Sequence, residues 1–194
     1  MDDSEILGLL QAMVRAPSYP GVARQEEAAI RVLEAYLREH DIPSTLVEVR
    51  EGRPNLLATF AGEKPGPHLL FCGHMDTVPP NAGASVDLFA ATVENGRLFG
   101  RGTVDMKGAL AAMAGALVLL KGSGGLASGS VTLAAVIDEE MESLGAAALI
   151  ASGFKADGAV FVGKDVTDVT LIGGTIIGQN AVWGDGINIR GVYI

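Results

Sequence analysis

The chain is poor in the residue types that mark specialised protein classes. It has one cysteine, Cys72, in 194 residues, so no internal disulfide forms and a reducing cytoplasm is the simplest setting. Basic residues are scarce. Lys and Arg number 14 against 23 Asp and Glu, a formal charge of -9 with a pI near 4.7, which argues against a nucleic-acid or anionic-membrane partner. No run reaches the roughly 18 apolar residues of a membrane span. The most apolar stretch, GALAAMAGALVLL from Gly108 to Leu120, is short and broken by glycine. The start, MDDSEILGLL, lacks the basic and long apolar segments of a signal peptide. Histidine is sparse as well: there are three, and none follows His74.

What is present suffices for one core. Hydrophobic residues make up 48% of the chain and glycine contributes 26 positions, a composition that suits one compact domain with many tight turns. The stretch ARQEEAAIRVLEAYLREH places Ala29, Ile30, Leu33, Tyr36 and Leu37 at helical spacing, with charges opposite. STLVEVR, NLLATFAG, HLLFCG, SVTLAAVID and GAVFV are short, apolar and bounded by Gly, Pro or polar residues, as strands are. Between them, DMKGALAAMAGALVLLKG and SLGAAALIAS have the small and apolar residues of helices lying close on a sheet. The alternation reads as α/β.

In open α/β sheets, ligands bind beyond the carboxyl ends of strands. Four places in this chain put chemistry there. LLFCGHMDTVPP ends an apolar run in His74 and Asp76, and GRGTVDMKG sets Asp105 at a glycine-rich turn before a helix. SVTLAAVIDEEMES ends in Asp138, Glu139 and Glu140, and GAVFVGKDVTD in Asp165. Carboxylates gathered on one rim repel unless a cation neutralises them. Imidazole and carboxylate donors without a usable thiolate suit zinc, with cobalt or manganese as substitutes. Blander readings stand beside this one. A lone histidine after a strand is often structural, and a DEE run is often a solvated helix start. Cys72 reads as a small buried hydrophobe, His40 and His68 carry no chemistry, and LKGSGGLASG lacks a phosphate-loop pattern and reads as a loop.

GHMDTVP, GRGTVDMKG and DEEMESLGA, in this order and spacing, resemble the co-catalytic zinc hydrolases that include acetylornithine deacetylase, succinyl-diaminopimelate desuccinylase, aminoacylase and carboxypeptidase G. APSYPG and GRPNLLATFAG, which resemble the family's first-helix end and second strand, extend the likeness over Ser4 to Leu171. The resemblance implies a three-layer α/β sandwich with a mixed, mostly parallel sheet over residues 1–172. It also implies hydrolysis of an N-acyl amino acid or small peptide by a metal-activated water. Carried over by position, His74 binds one zinc, Asp105 bridges two, Glu140 binds the second and Asp165 completes the first. Glu139 is then the general base, Asp76 acts on His74 from behind, and the Asp105–Met106 peptide is cis.

The chain also departs from that family, whose members continue into a lid domain and a late zinc-binding histidine. GKDVTDVTL lacks the proline that usually follows the fourth ligand, so a plain turn aspartate competes with a ligand at Asp165. The stretch LIGGTIIGQNAVWGDGINIRGVYI, which includes the tail 173–194, instead shows a six-residue period, with Leu171, Ile177, Trp183 and Ile189 in one register. This resembles the hexapeptide β-helix of some acyltransferases, whose open coils invite homo-oligomer formation. Glycine-rich strands closing the sheet are the competing reading. Two function classes follow: a zinc amidohydrolase, impaired by the missing lid, or a metal-binding or oligomerising remnant without turnover.

Overall fold

The computed structural model describes residues 3–81, 83 and 87–161. Two helices come first, α1 (Asp3–Val14) and α2 (Glu27–Glu39), then strands β1 (Ser44–Arg50), β2 (Arg53–Ala61) and β3 (Lys64–His74). A small hairpin of β4 (Thr92–Glu94) and β5 (Arg97–Phe99) leads to α3 (Lys107–Gly122) and β6 (Ser128–Val136), followed by α4 (Leu144–Ala151) and β7 (Gly158–Phe161). β4 and β5 form a separate two-stranded sheet, and the other five strands form one sheet in the order β1-β2-β6-β3-β7.

That sheet is mixed. β1 and β2 pair antiparallel, as do β2 and β6, whereas β3 runs parallel to both β6 and β7. The register sets His74 beside Val136 and Leu56 beside Ala135. The carboxyl ends of β3 and β6 therefore share a rim with the amino end of β2, which brings Arg53 and Asn55 to that side.

Residues alternate along β3 because successive side chains of a strand face opposite ways. Leu69 and Phe71 pack toward a large cluster formed with α1, α2 and α3, which includes Met13, Ile30, Leu33, Leu37, Leu110 and Leu117. Leu70 and Cys72 face the other way, with Ala134, Val136 and Leu149 of α4. Helices on both faces give the three layers expected. α2 buries the five residues its periodicity selected, Ala29, Ile30, Leu33, Tyr36 and Leu37. Gly73 lets α3 approach β3: a Cβ there would come within 2.5 Å of Met106 Cε.

One element goes beyond the sequence reading, the β4–β5 hairpin, whereas α1 ends just before APSYPG, where the resemblance implies the end of a first helix. The residues 173–194 and their six-residue period lie outside the described residues, as does Asp165. Among the described residues, no helix is long and apolar enough to cross a membrane.

Candidate metal centre

His74 is the last residue of β3 and is 1% exposed. Its ring is held from both sides: Nδ1 lies 3.0 Å from the Asp76 carbonyl oxygen and Nε2 lies 2.9 Å from Asp105 Oδ1. Nε2 is also 3.5 Å from Glu139 Oε2. One donor atom from each of His74, Glu139 and Glu140 falls within 4.8 Å of the others. Three separate segments thus converge on one rim: the exit of β3, the turn before α3 and the turn after β6. The Asp105–Met106 peptide is cis, as the resemblance implies.

Asp76 does more than its spacing from His74 suggests. Its carboxylate is fully buried, with Oδ1 3.4 Å from His74 Nδ1. The same carboxylate accepts the backbone N–H of Glu139 at 3.0 Å and of Glu140 at 2.9 Å. One side chain therefore sets both the imidazole and the backbone that carries the acidic pair. Burial opposes its charge, but the contact with His74 and the two amide bonds prevail and hold this carboxyl below the usual range.

The electrostatics of the cluster follow from crowding. Burial would lower the His74 pKa, yet its bonds to Asp105 and Asp76 and the nearby charges of Asp76 and Glu139 raise it to about 10. Glu139 is pushed upward, first by burial and then by Glu140, Asp105 and Asp76, against the pull of His74. An excess of carboxylate over imidazole, all aimed at one point, is the donor chemistry a divalent cation neutralises. The residues present fit such an ion.

The loops that carry these groups are themselves tied down. Ser18 Oγ donates to the Met75 carbonyl at 2.8 Å, and the Ser18 carbonyl accepts the Thr77 N–H at 3.1 Å. The APSYPG segment thus clamps the chain on both sides of Asp76. Lys107, 0% exposed, donates through Nζ to the carbonyls of Met13 and Ala16, each at 2.8 Å, fastening the Asp105 turn to the end of α1. Burial pushes its pKa down to about 7, and a neutral amine still has the two N–H groups that two carbonyls need. Asn55 bonds Gly145 and Ile137 across the exit of β6. Ser18, Asn55 and Lys107 lie within APSYPG, GRPNLLATFAG and GRGTVDMKG, but no local pattern marks them for these contacts.

Hollows elsewhere on the surface, one lined by Glu34, Arg38 and Asp41 and one by Glu63, Lys64 and Gly129, lie toward the other end of the sheet. The donor cluster sits on an open rim.

Comparison with known proteins bears on this arrangement. Residues 70–190 match the model of peptidase family M20/M25/M40. The succinyl-diaminopimelate desuccinylase of Gluconacetobacter diazotrophicus is 41% identical over 138 residues, which are 69% of this chain and 34% of that protein. A probable succinyl-diaminopimelate desuccinylase of Staphylococcus epidermidis is 38% identical over 142 residues, 71% of this chain and 34% of its own length. The chain thus spans about a third of the curated relatives it matches. Among solved structures, an M20 family metallo-carboxypeptidase from Sulfolobus solfataricus superposes with a TM-score of 0.67 at 24% identity, over 86% of this chain and 38% of that one. A dinuclear metal-binding peptidase of the M20 family from Bacillus subtilis gives a TM-score of 0.54 at 20% identity, over 78% and 40%. These two likenesses establish the fold, and the family match over most of the chain establishes the lineage: the chain belongs to peptidase family M20/M25/M40.

Proposed function

We propose that this chain carries the metal site of an amidohydrolase that cleaves the amide bond of an N-acyl amino acid or small peptide. The observation that carries the reading is the convergence of His74, Glu139 and Glu140 within 4.8 Å, with Asp105 against the same imidazole. His74, Asp105 and Glu140 would hold zinc, with cobalt or manganese as substitutes, and Asp165 remains the proposed fourth ligand. Zinc bound there lowers the pKa of water toward neutrality and polarises a carbonyl.

Glu139 is the proposed general base. Its carboxylate points toward the cluster, since Oε2 lies 3.5 Å from His74 Nε2. Its raised proton affinity suits a group that takes a proton from the attacking water and returns it to the departing nitrogen. Asp76 holds that base by its backbone, so the carboxylate meets the water without first having to find its position. The desuccinylase relatives favour an N-succinyl or similarly acidic N-acyl amino acid as substrate. A cytoplasmic setting belongs to the same reading and rests on the single cysteine.

The test is zinc uptake by the dialysed chain, followed by hydrolysis of N-succinyl and N-acetyl amino acids and of dipeptides. Zinc-dependent release of the free amino acid supports the reading. Zinc uptake without release from any of these would leave a metal-binding protein and overturn the hydrolase assignment.

A further inference from the structure

The turn that presents Glu139 and Glu140 has left-handed backbone at both ends. Asp138 has φ of 68° and Ser143 of 54°, values uncommon for non-glycine residues, which aspartate adopts more readily than serine. Asp76 fixes this turn from the site side. A second set of contacts holds the same turn through Asp138.

Asp138 is 4% exposed and its two carboxylate oxygens face different partners. Oδ2 accepts the Glu142 N–H at 3.2 Å, while Oδ1 accepts from Arg53 Nη2 at 2.7 Å. The same Nη2 reaches Glu26 Oε1 at 2.7 Å and Arg53 Nε reaches Glu26 Oε2 at 2.8 Å. Glu26, at the start of α2, is 0% exposed. Three elements therefore meet at one guanidinium: the amino ends of α2 and β2 and the turn after β6.

A buried ion triad is a poor choice if stability alone matters, because apolar residues of similar volume often do as well or better. Its distinctive property is direction. The guanidinium is planar with donors at fixed angles, so two bonds to Glu26 lock its plane, and the remaining contact of Nη2 then dictates where Asp138 must sit.

We propose that Arg53 is a positioning residue for the metal centre: bridging Glu26 and Asp138, it sets the direction in which the turn presents Glu139 and Glu140. The functional consequence rests on the reading above, in which these two glutamates serve as base and ligand. The structural part stands on the contacts alone.

The experiment compares Arg53→Lys with Ile42→Ala, a core change before β1 matched in global stability by urea concentration. Backbone amide exchange of Glu139, Glu140 and Glu142 is followed by NMR on the full chain, and zinc affinity by competition with a chelator. In Arg53→Lys, exchange protection at these three amides should fall by at least about tenfold beyond the control. Zinc affinity should fall roughly 10–100-fold, the usual effect of losing an outer partner of a metal site, while Ile42→Ala keeps the native affinity. If Arg53→Lys does not fold, Asp138→Asn provides the same comparison, since asparagine tolerates the left-handed backbone. Equal losses in variant and control, or none in either, overturn the proposal and leave Arg53 a plain cross-link. If the native chain takes up no zinc, the proposed function falls, yet the exchange measurement still decides the role of Arg53.

Discussion

Two regions of the molecule use the same charged residue types under opposite conditions. On the outer face of α2, Arg31 pairs with Glu34 at 2.9 Å and with Glu27 at 3.7 Å, and its side chain is 54% exposed. At the rim of the sheet, Arg53 pairs with Glu26 and Asp138 at 2.7 Å each, where both carboxylates are almost wholly buried. Water screens the first set, so its charges are nearly independent of one another. Desolvation couples the second set. Burial pushes the Glu26 carboxyl up, Arg53 pulls it down without cancelling that push, and the Arg53 guanidinium is raised by its two partners against its own desolvation. The lesson is that charges along α2 are solvated and act almost singly, whereas those at the rim are buried and act as one linked set.

The comparison breaks most visibly in catalysis. Glu139→Gln should lower hydrolysis by about 10²–10⁴-fold, because an amide cannot take a proton from water, while zinc content stays near native. Glu140→Gln should instead lose metal. Zinc lost from Glu139→Gln but kept in Glu140→Gln would show that base and ligand had been exchanged, and equal loss that both glutamates hold the metal.

Next in size is the effect on folding. Arg53→Met leaves two buried carboxylates without their partner and should cost about 3–5 kcal/mol of unfolding free energy by urea titration. Arg31→Ala should cost no more than about 0.5 kcal/mol. Similar losses in both would erase the distinction between the two regions.

How much of this was legible beforehand depends on the range of the interaction concerned. The helix over Ala29 to Leu37 and the five sheet strands show in local periodicity, and the structure reproduces them. Local signals for α1 and for the small hairpin are present too. Ile6, Leu9, Leu10 and Met13 have the helical spacing of α1, and all four pack in or against the large core cluster. Asn95-Gly96 is a hairpin pair, and both residues take positive φ, 51° and 74°, as such a turn requires. The candidate site divides the same way. His74, Asp76, Asp105, Glu139 and Glu140 stand out because they follow apolar strands or a glycine-rich turn in recognisable order. The clamp from Asp76 to the two glutamate amides was not readable, since spacing says nothing about which backbone a buried carboxylate will meet 63 and 64 residues away. Nor was the triad, in which Arg53 joins residues 27 and 85 positions distant.

An effect confined to alkaline pH lies far from the rim. Tyr36 is buried in α2, and burial, with Glu5 nearby, raises its pKa from 10.0 to about 12. A phenol whose folded pKa is raised gives stability that is complete below the unfolded value and is lost as pH climbs through the folded one. Unfolding free energy should therefore decline between pH 10 and about 12, and Tyr36→Phe should flatten that decline. An unchanged alkaline slope in Tyr36→Phe would assign the loss to other groups.

The central claim is that His74 and the carboxylates around it form one metal site. Its most direct test is metal analysis after exhaustive dialysis of zinc-loaded protein, native beside His74→Ala. With His74 the lone imidazole of the cluster, the native chain should retain about one zinc tightly, and His74→Ala should retain none, since a site that loses part of its shell binds weakly. No zinc retained by the native chain, or undiminished zinc in His74→Ala, would contradict the account.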